Sequence, residues 1–360
     1  MSQQESENPE VTPLEPRTKS LITSGIFLVI LVALAAILPV PYVILRPGPT
    51  FNALGNDAGK PVIQISGARS YPTTGGLNLT TVSESGGPFG KVSLAEAFFG
   101  WLSPSAAVLP ERILYPQQAK KAEVESQNTS DLIDSQTQAT AAALKYLNKP
   151  LVKAVLISAV SPSGASAGKL QPGDVVGAID GVKPANASQA ARAVTSKPVG
   201  AVVKFTLTRD GKVINEQVTT RASTSKSKTS VVGIVVANGF ISTEISVRYG
   251  LENVGGPSAG LMFSLGVIDK LTSSSLTGGK IIAGTGTIDS SGSVGPIGGV
   301  QQKVVAAKRD GASYFLTPIK NCYDASQAAP KGLTLVRVDS LTDAVAQLDN
   351  IVKGRPTQPC

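Results

Sequence analysis

Residues 254–269, VGGPSAGLMFSLGVID, hold the most informative pattern in this chain of 360 residues. A Gly-Gly-Pro turn precedes apolar residues at helical spacing, which predicts a helix that begins close to Ser258. A serine there is well placed to act as a nucleophile, because the free backbone amides of a helix N-terminus can stabilise an oxyanion. The backbone amides of Gly256, Ser258 and Ala259 are the candidates. Taken alone, the pattern fits a plain turn into a helix equally well.

A serine nucleophile needs a base, and the chain contains no histidine. The predicted helix after Gly299 has an apolar stripe of Val300, Val304 and Ala307, and Lys303 falls on that same face. Two interpretations are open. The lysine stem could pack while its ammonium group reaches water. Alternatively, burial could lower the pKa of Lys303 enough to make a neutral amine, which would serve as a general base for Ser258.

Three motifs follow one another in the last third of the chain: GPSAG, GTGTI and GPIGGVQQK. In order and spacing they resemble the proteolytic domain of Lon proteases. The resemblance implies a catalytic dyad of Ser258 and Lys303, a known variant of the serine-nucleophile arrangement, with Thr285 orienting the lysine. It also implies a homo-oligomer, since Lon-type domains commonly form rings.

The chain departs from ATP-dependent Lon proteases at Gly255, Thr287 and Gln301, where that group often has Glu or Asp, Glu, and Lys. The sequence also contains no Gly-x-x-x-x-Gly-Lys-Ser/Thr phosphate loop. These features leave the proposed dyad intact and fit a shorter branch without an ATPase. We therefore expect hydrolysis that does not depend on ATP.

Residues 161–181, SPSGASAGKLQPGDVVGAIDG, resemble the PDZ domains attached to bacterial proteases. The matching positions are Leu170, Gly173, Asp174, Asp180 and Gly181. The resemblance implies a module that binds peptides by adding a strand to a sheet edge. A β-domain with a purely structural role is the alternative.

Residues 20–45 contain no charged side chain, and the run IFLVILVALAAILPV is long enough to cross a bilayer. The length of the run and the lack of a small-residue cleavage site favour an uncleaved anchor over a signal peptide. Arg17 and Lys19 precede the run, which predicts a cytoplasmic N-terminus and extracytoplasmic domains. The lipid bilayer is thus an expected partner.

The formal net charge of +8 comes from scattered basic residues without interleaved aromatic residues, so we expect no nucleic-acid partner. Cys322 and Cys360 do not have metal-ligand spacing, and we expect no metal and no cofactor. A disulfide between them is chemically possible outside the cytoplasm, but the sequence leaves their pairing open.

Together, these patterns predict a multidomain α+β protein with a transmembrane helix, a β-rich region followed by helix, a PDZ domain and a Lon-type α/β proteolytic domain. The predicted segments are a cytoplasmic tail 1–19, a transmembrane helix 20–45, an intervening region 46–150, a PDZ domain 151–222, a linker 223–230, a proteolytic domain 231–353 and a tail 354–360. The predicted function is that of a membrane-anchored serine endopeptidase acting on extracytoplasmic or membrane-proximal proteins. The alternatives are a non-catalytic PDZ adaptor and an enzyme limited to self-cleavage.

Overall fold

The computed structural model describes residues 16–115, 119–209, 211–223, 229–251 and 254–360. Most of the predicted tail 1–19 and the centre of the predicted linker 223–230 lie outside these residues. The ends of that linker region pair in a short ladder, with Arg221 opposite Val231.

The described residues form α-helices and strands that alternate irregularly along the chain. The helices are α1 (Pro16–Ile37), α2 (Leu94–Leu102), α3 (Glu111–Leu114), α4 (Lys121–Tyr146), α5 (Ala187–Thr195), α6 (Gly260–Leu271), α7 (Val300–Arg309), α8 (Cys322–Ala328) and α9 (Leu341–Val352). The strands are β1 (Pro39–Val40), β2 (Tyr42–Asn52), β3 (Asn56–Asp57), β4 (Lys60–Pro61), β5 (Ile63–Ser66), β6 (Gly76–Gly86), β7 (Val92–Ser93), β8 (Ala107–Pro110), β9 (Val152–Val160), β10 (Val175–Ile179), β11 (Val202–Arg209), β12 (Lys212–Thr219), β13 (Arg221–Ala222), β14 (Ser230–Val231), β15 (Ile234–Ile241), β16 (Ser246–Tyr249), β17 (Ile281–Gly284), β18 (Thr287–Ile288), β19 (Val294–Gly295), β20 (Tyr314–Pro318) and β21 (Thr334–Val338).

Helix α1 is long and apolar enough to cross a membrane, and none of its residues is buried. Its 22 residues correspond to a length of about 33 Å at 1.5 Å per residue. The predicted helix 20–45 was too long, because Pro39 and Pro41 end the helical segment and the chain continues as strands. The last apolar residues of that span, including Val43 and Ile44, are buried in β2.

The largest sheet has six strands in the order β21-β20-β17-β6-β2-β8. Strands β21, β20, β17 and β6 run parallel, whereas β2 and β8 pair antiparallel at the other side. Strands from 42–110 and from 281–338 therefore share one sheet. The predicted intervening region 46–150 and the predicted proteolytic domain 231–353 thus both contribute strands to this sheet, so the sheet does not follow the predicted division.

A second sheet has five strands in the order β12-β11-β10-β9-β15. The proteolytic domain was predicted to start at residue 231. Strand β15 lies after that residue, yet it pairs along its length with β9 and so belongs to the five-stranded sheet. The sequence of β15, IVVANGFI, predicts a strand but does not reveal which sheet that strand joins. In chain order, this five-stranded unit lies between two segments that build the six-stranded sheet.

Adjacent residues of the central strands point to opposite faces of the six-stranded sheet, as strand geometry requires. Leu316 of β20 belongs to an apolar cluster with α6, α4 and α9, whereas Phe315 belongs to a cluster with α7 and α8. Helix α6, which follows Ser258, and helix α7, which carries Lys303, thus pack on opposite faces of the same sheet. Both residues meet near the carboxyl end of β17, where Thr285 follows the strand.

Candidate active site

Ser258 lies in a turn two residues before the first residue of α6. Helix α6 is buried along nearly all of its length, because its glycines and aliphatic residues pack between α4 and the sheet. Gly260 allows close approach of α4, since a Cβ atom at this position would lie 2.9 Å from Ser135 Oγ. The position of the serine is therefore fixed by a rigid helix and a close helix–helix contact.

Helix α4 also holds the backbone of the turn. Ser135 Oγ donates a hydrogen bond of 2.9 Å to the carbonyl oxygen of Pro257. The amide of Gly256 donates a hydrogen bond of 2.8 Å to the carbonyl oxygen of Asn128. Sequence reasoning assigned no role to α4 in this site. A signal was present, because Ser135, Ala139 and Ala142 form a stripe of small residues at helical spacing, which favours close packing.

Lys303 lies on the face of α7 that the sequence predicted to be apolar, together with Val300, Val304 and Ala307. Only 3% of its surface is exposed, so the interpretation in which its ammonium reaches water is wrong. Desolvation by burial lowers the pKa of Lys303 from its ordinary value of 10.5 to about 7. A substantial fraction of the amine is therefore neutral at physiological pH.

The side chains of Ser258, Lys303 and Thr285 form one hydrogen-bonded group. Lys303 Nζ lies 2.6 Å from Ser258 Oγ and 3.1 Å from Thr285 Oγ1. Thr285 Oγ1 in turn donates a hydrogen bond of 3.0 Å to the carbonyl oxygen of Ser258. The structure thus brings together the three side chains that the sequence singled out, from three separate elements. In its neutral form the amine can accept the proton of the serine hydroxyl at this distance.

The backbone amides predicted to stabilise an oxyanion differ in their surroundings. The Gly256 amide is bonded to Asn128, so the expectation for Gly256 was wrong for this structure. The reason is that α4 passes beside the turn, which the sequence did not reveal. Within the part of the chain that the structure describes, the amides of Ser258 and Ala259 donate to no protein acceptor.

A cleft of about 310 Å³ opens beside Ser258. Its lining residues are Pro257, Ser258, Thr287, Pro296, Ile297 and Gly298. The backbone of Ile297 is held by Asn321, whose side chain accepts from its N–H and donates to its carbonyl oxygen, each at 2.9 Å. Sequence reasoning missed Asn321, because a single asparagine in a connecting segment has no distinguishing pattern.

A metal site is not formed among the described residues, in which no group of three or more His, Cys, Asp or Glu side chains converges.

The five-stranded unit contains a larger groove of about 510 Å³ between α5 and β15. Ala190, Ala191 and Val194 of α5 line one side, and Ile234 and Val236 of the edge strand line the other. The groove is mainly apolar and ends at the loop 161–165.

The residues that suggested a PDZ domain have structural contacts in this unit. Asp174 is buried and forms two hydrogen bonds of 2.7 Å with Arg209. Asp180 lies in a turn, where it accepts a hydrogen bond from the Lys204 amide and pairs with Lys197. These contacts hold the loops of the unit in place.

A sequence profile of the Lon protease (S16) C-terminal proteolytic domain matches residues 158–353, more than half of the chain. The chain belongs to this family. Among curated proteins, the Lon protease of Methylocella silvestris is 34% identical over 153 residues, which are 40% of this chain and 18% of that protein. The Lon protease of Chloroflexus aggregans is 28% identical over 199 residues, which are 54% of this chain and 24% of that protein. The matched regions of this Lon-family chain thus span about a quarter or less of these relatives' length.

Among solved structures, the PDZ domain of the SdrC-like protein from Listeria innocua is 26% identical and covers 23% of this chain and 92% of its own. The TM-score of this match is 0.22. The five-stranded unit, residues 152–241, is called the PDZ-like unit below.

Proposed function

We propose that this Lon-family protein is a serine endopeptidase in which Ser258 is the nucleophile and Lys303 the general base. The main support is the distance of 2.6 Å between Lys303 Nζ and Ser258 Oγ, with the lysine almost fully buried. Burial away from solvent lowers the pKa of a lysine, and a general base that works near neutral pH requires such a lowered pKa. Thr285 is proposed to orient the lysine through its hydroxyl group.

In the first half of the reaction, Ser258 Oγ attacks the carbonyl carbon of the substrate while its proton passes to Lys303 Nζ. The amides of Ser258 and Ala259 stabilise the resulting oxyanion. The C–N bond then breaks, and the Lys303 ammonium group returns the proton to the leaving amine. In the second half, water attacks the acyl ester and gives its proton to Lys303. Collapse of this intermediate breaks the ester bond, and the proton returns to Ser258 Oγ.

We further propose that α1 anchors the protein in a membrane, with the N-terminus in the cytoplasm and the remaining units outside. Support comes from the length and apolar composition of α1, although a signal sequence has the same properties. The disulfide between Cys322 and Cys360 agrees with an extracytoplasmic location, because cytosolic thiols are kept reduced. Substrates are then flexible extracytoplasmic or membrane-proximal protein segments, and hydrolysis needs no ATP. A homo-oligomer is expected from the family alone.

The PDZ-like unit is proposed to recruit substrate. We also propose that it is an insertion in the proteolytic unit, which comprises residues 42–146 and 246–353. The apolar groove beside the edge strand β15 supports strand addition by a peptide. Ala191 lines this groove and is exposed, whereas its neighbour Arg192 is exposed but does not line it. Ala191→Trp should therefore raise KM for an unfolded protein but not for a short peptide. Arg192→Trp is the matched control, and equal effects of both variants would contradict recruitment through this groove.

The proteolytic function is tested with the full chain in detergent micelles and a fluorescently labelled unfolded protein, without ATP. The full chain is used because a fragment without α1 that begins at Arg46 would lack the first residues of β2. We expect Ser258→Ala and Lys303→Ala to lower kcat/KM by about 10³-fold or more. Lys308→Ala, a lysine on the same helix outside the site, should stay within about 2-fold of wild type.

Two results would contradict this function. Cleavage by the Ser258→Ala variant would exclude the proposed nucleophile. No cleavage by a folded wild-type protein that still binds peptides would favour the adaptor. Self-cleavage alone predicts that only the chain's own intact mass changes, and that the change is absent in Ser258→Ala.

A further inference from the structure

Helix α2 exposes large apolar side chains and buries small ones. Trp101 is 79% exposed and Phe99 is 68% exposed, and Leu94, Phe98 and Leu102 are exposed as well. The buried face consists of Ala97 and Gly100. A Cβ atom at Gly100 would lie 3.0 Å from Val108 Cγ2, so the glycine lets α2 lie directly on the sheet. A surface helix ordinarily has the opposite arrangement, with its apolar face towards the core.

The exposed face of α2 adjoins the end of α1. The Leu94 amide, at the start of α2, donates a hydrogen bond of 2.9 Å to the carbonyl oxygen of Leu38. Strands β1 and β7, which pair with each other, connect directly to α1 and α2. The apolar surface therefore continues from the last turn of α1 onto α2. Ile113 of α3, which directly follows β8, is exposed as well.

Bilayer lipid fits this surface better than a second copy of the chain. Helix α2 has nine residues and is about 14 Å long, whereas stable protein interfaces bury about 800 Å² per partner. Tryptophan and phenylalanine beside a membrane-spanning helix favour the interface between headgroups and acyl chains. Lys91, three residues before α2, and Arg112 of α3 are exposed and carry the charge that attracts anionic headgroups.

The one acidic residue of α2, Glu96, is bonded to the start of its own helix. Glu96 accepts hydrogen bonds from the Ser93 amide and hydroxyl in a capping box at the start of the helix. These hydrogen bonds are the main cause of the lowered pKa of Glu96. The carboxylate thus stays charged and is held at the helix N-terminus.

We infer that α2 lies in the plane of the membrane interface and inserts Phe98, Phe99, Trp101 and Leu102 among the lipids. This second contact deepens the proposed anchoring by α1 and depends on it. Because α2 packs on Ile44 and Val108 of the neighbouring strands β2 and β8, that edge of the six-stranded sheet faces the bilayer. The proteolytic unit is then held in one orientation at the membrane surface.

Trp101 is the only tryptophan in the chain, so its fluorescence reports on α2 directly. The full chain is reconstituted in vesicles of phosphatidylcholine and phosphatidylglycerol, with or without bromine on the upper acyl carbons. We expect bromine to quench Trp101 emission by about 2-fold or more, and iodide in the aqueous phase to have little effect. As a matched control, Trp101→Phe/Tyr323→Trp moves the only tryptophan to an exposed position on α8, at the opposite edge of the sheet. Its emission should respond to iodide and not to bromine.

Flotation of the same vesicles separates this inference from the proposed anchoring. If the chain does not float with the lipid, the anchoring by α1 fails. If it floats while Trp101 is quenched by iodide and not by bromine, only the inference about α2 is overturned. Shielding from both quenchers that disappears on dilution with excess lipid would assign the surface to a second copy and would also overturn it. Phe99→Glu should reduce the bromine quenching about 2-fold while flotation is unchanged.

Discussion

The Ser135 hydroxyl donates a hydrogen bond of 2.9 Å to the carbonyl oxygen of Pro257, the residue immediately before Ser258. Ser135 is buried in α4, and 122 positions of sequence separate the two residues. The same helix bonds the Gly256 amide through Asn128. The turn that carries the proposed nucleophile is therefore held by an element from the first half of the chain.

We expect Ser135→Ala to lower kcat by about 3- to 10-fold with little change in KM, since one hydrogen bond contributes about 1 kcal/mol. The loss should fall on kcat because Ser135 positions Ser258 without contacting the cleft. The pH dependence should keep the same midpoint, because the environment of Lys303 is unchanged. Steady-state kinetics with a short peptide measures both constants.

Ser126→Ala is the matched control for Ser135→Ala. Ser126 lies on the same helix, but its hydroxyl donates to the carbonyl oxygen of Val160 in the PDZ-like unit at 3.3 Å. This variant should leave cleavage of a short peptide within about 2-fold of wild type. Equal losses in both variants would mean that α4 acts only through overall stability.

The pH dependence of activity should follow the amine of Lys303. Burial lowers the pKa of this group to about 7, and only the neutral form can accept the serine proton. The value of kcat/KM should therefore rise about tenfold per unit below pH 7 and level off above about pH 8. Initial rates from about pH 5 to about pH 10, with a peptide that does not titrate there, measure the profile.

The midpoint of this rise distinguishes a buried lysine from an ordinary one. With an unperturbed pKa, kcat/KM would keep rising towards pH 10. A flat profile, with circular dichroism unchanged over the same range, would contradict the assignment of Lys303 as the base.

Thr285→Val should lower kcat/KM by about 10-fold or more, because its hydroxyl accepts from Lys303 and donates to the carbonyl oxygen of Ser258. Thr285→Ser keeps the hydroxyl and should stay within about 3-fold of wild type. In the valine variant the ammonium form of Lys303 loses a hydrogen-bond acceptor. Its pKa should fall further, and the rise in activity should move to lower pH. A profile that does not move would indicate that Thr285 has only a packing role.

Much of the candidate site was predictable from the sequence, because local patterns encode it. The apolar stripe of α7 predicted that Lys303 lies on the face towards the core, although it left open whether the ammonium group reaches water. The turn before α6 predicted the location of Ser258 next to a helix. Local contacts of the same kind start helix α9, where the hydroxyl of the N-cap residue Ser340 accepts a hydrogen bond from the Asp343 amide. These features depend on residues within a few positions of one another.

The organisation of the sheets was not predictable in the same way, because strand pairing is non-local. Strand β6 pairs with β17 across about 200 positions, and nothing in the sequence of either strand specifies its partner. The pairing of β15 with β9 likewise moves a predicted domain boundary. The roles of Ser135 and Asn321 also depend on distant contacts. The stripe of small residues on α4 indicates close packing at Ser135 but not its partner, and the single asparagine has no pattern at all.

The disulfide between Cys322 and Cys360 should stabilise the proteolytic unit. It closes a segment with a sequence separation of 38 and links Cys360 to the start of α8. By the chain-entropy account, a loop of this length contributes about 3–4 kcal/mol to the free energy of unfolding. Cys322→Ser/Cys360→Ser should show this loss in urea denaturation.

Because Asn321 adjoins Cys322 and holds Ile297 in the cleft, the KM of this double variant should rise more than its kcat falls. Equal unfolding midpoints for the wild type under oxidising and reducing conditions would contradict the stabilising role.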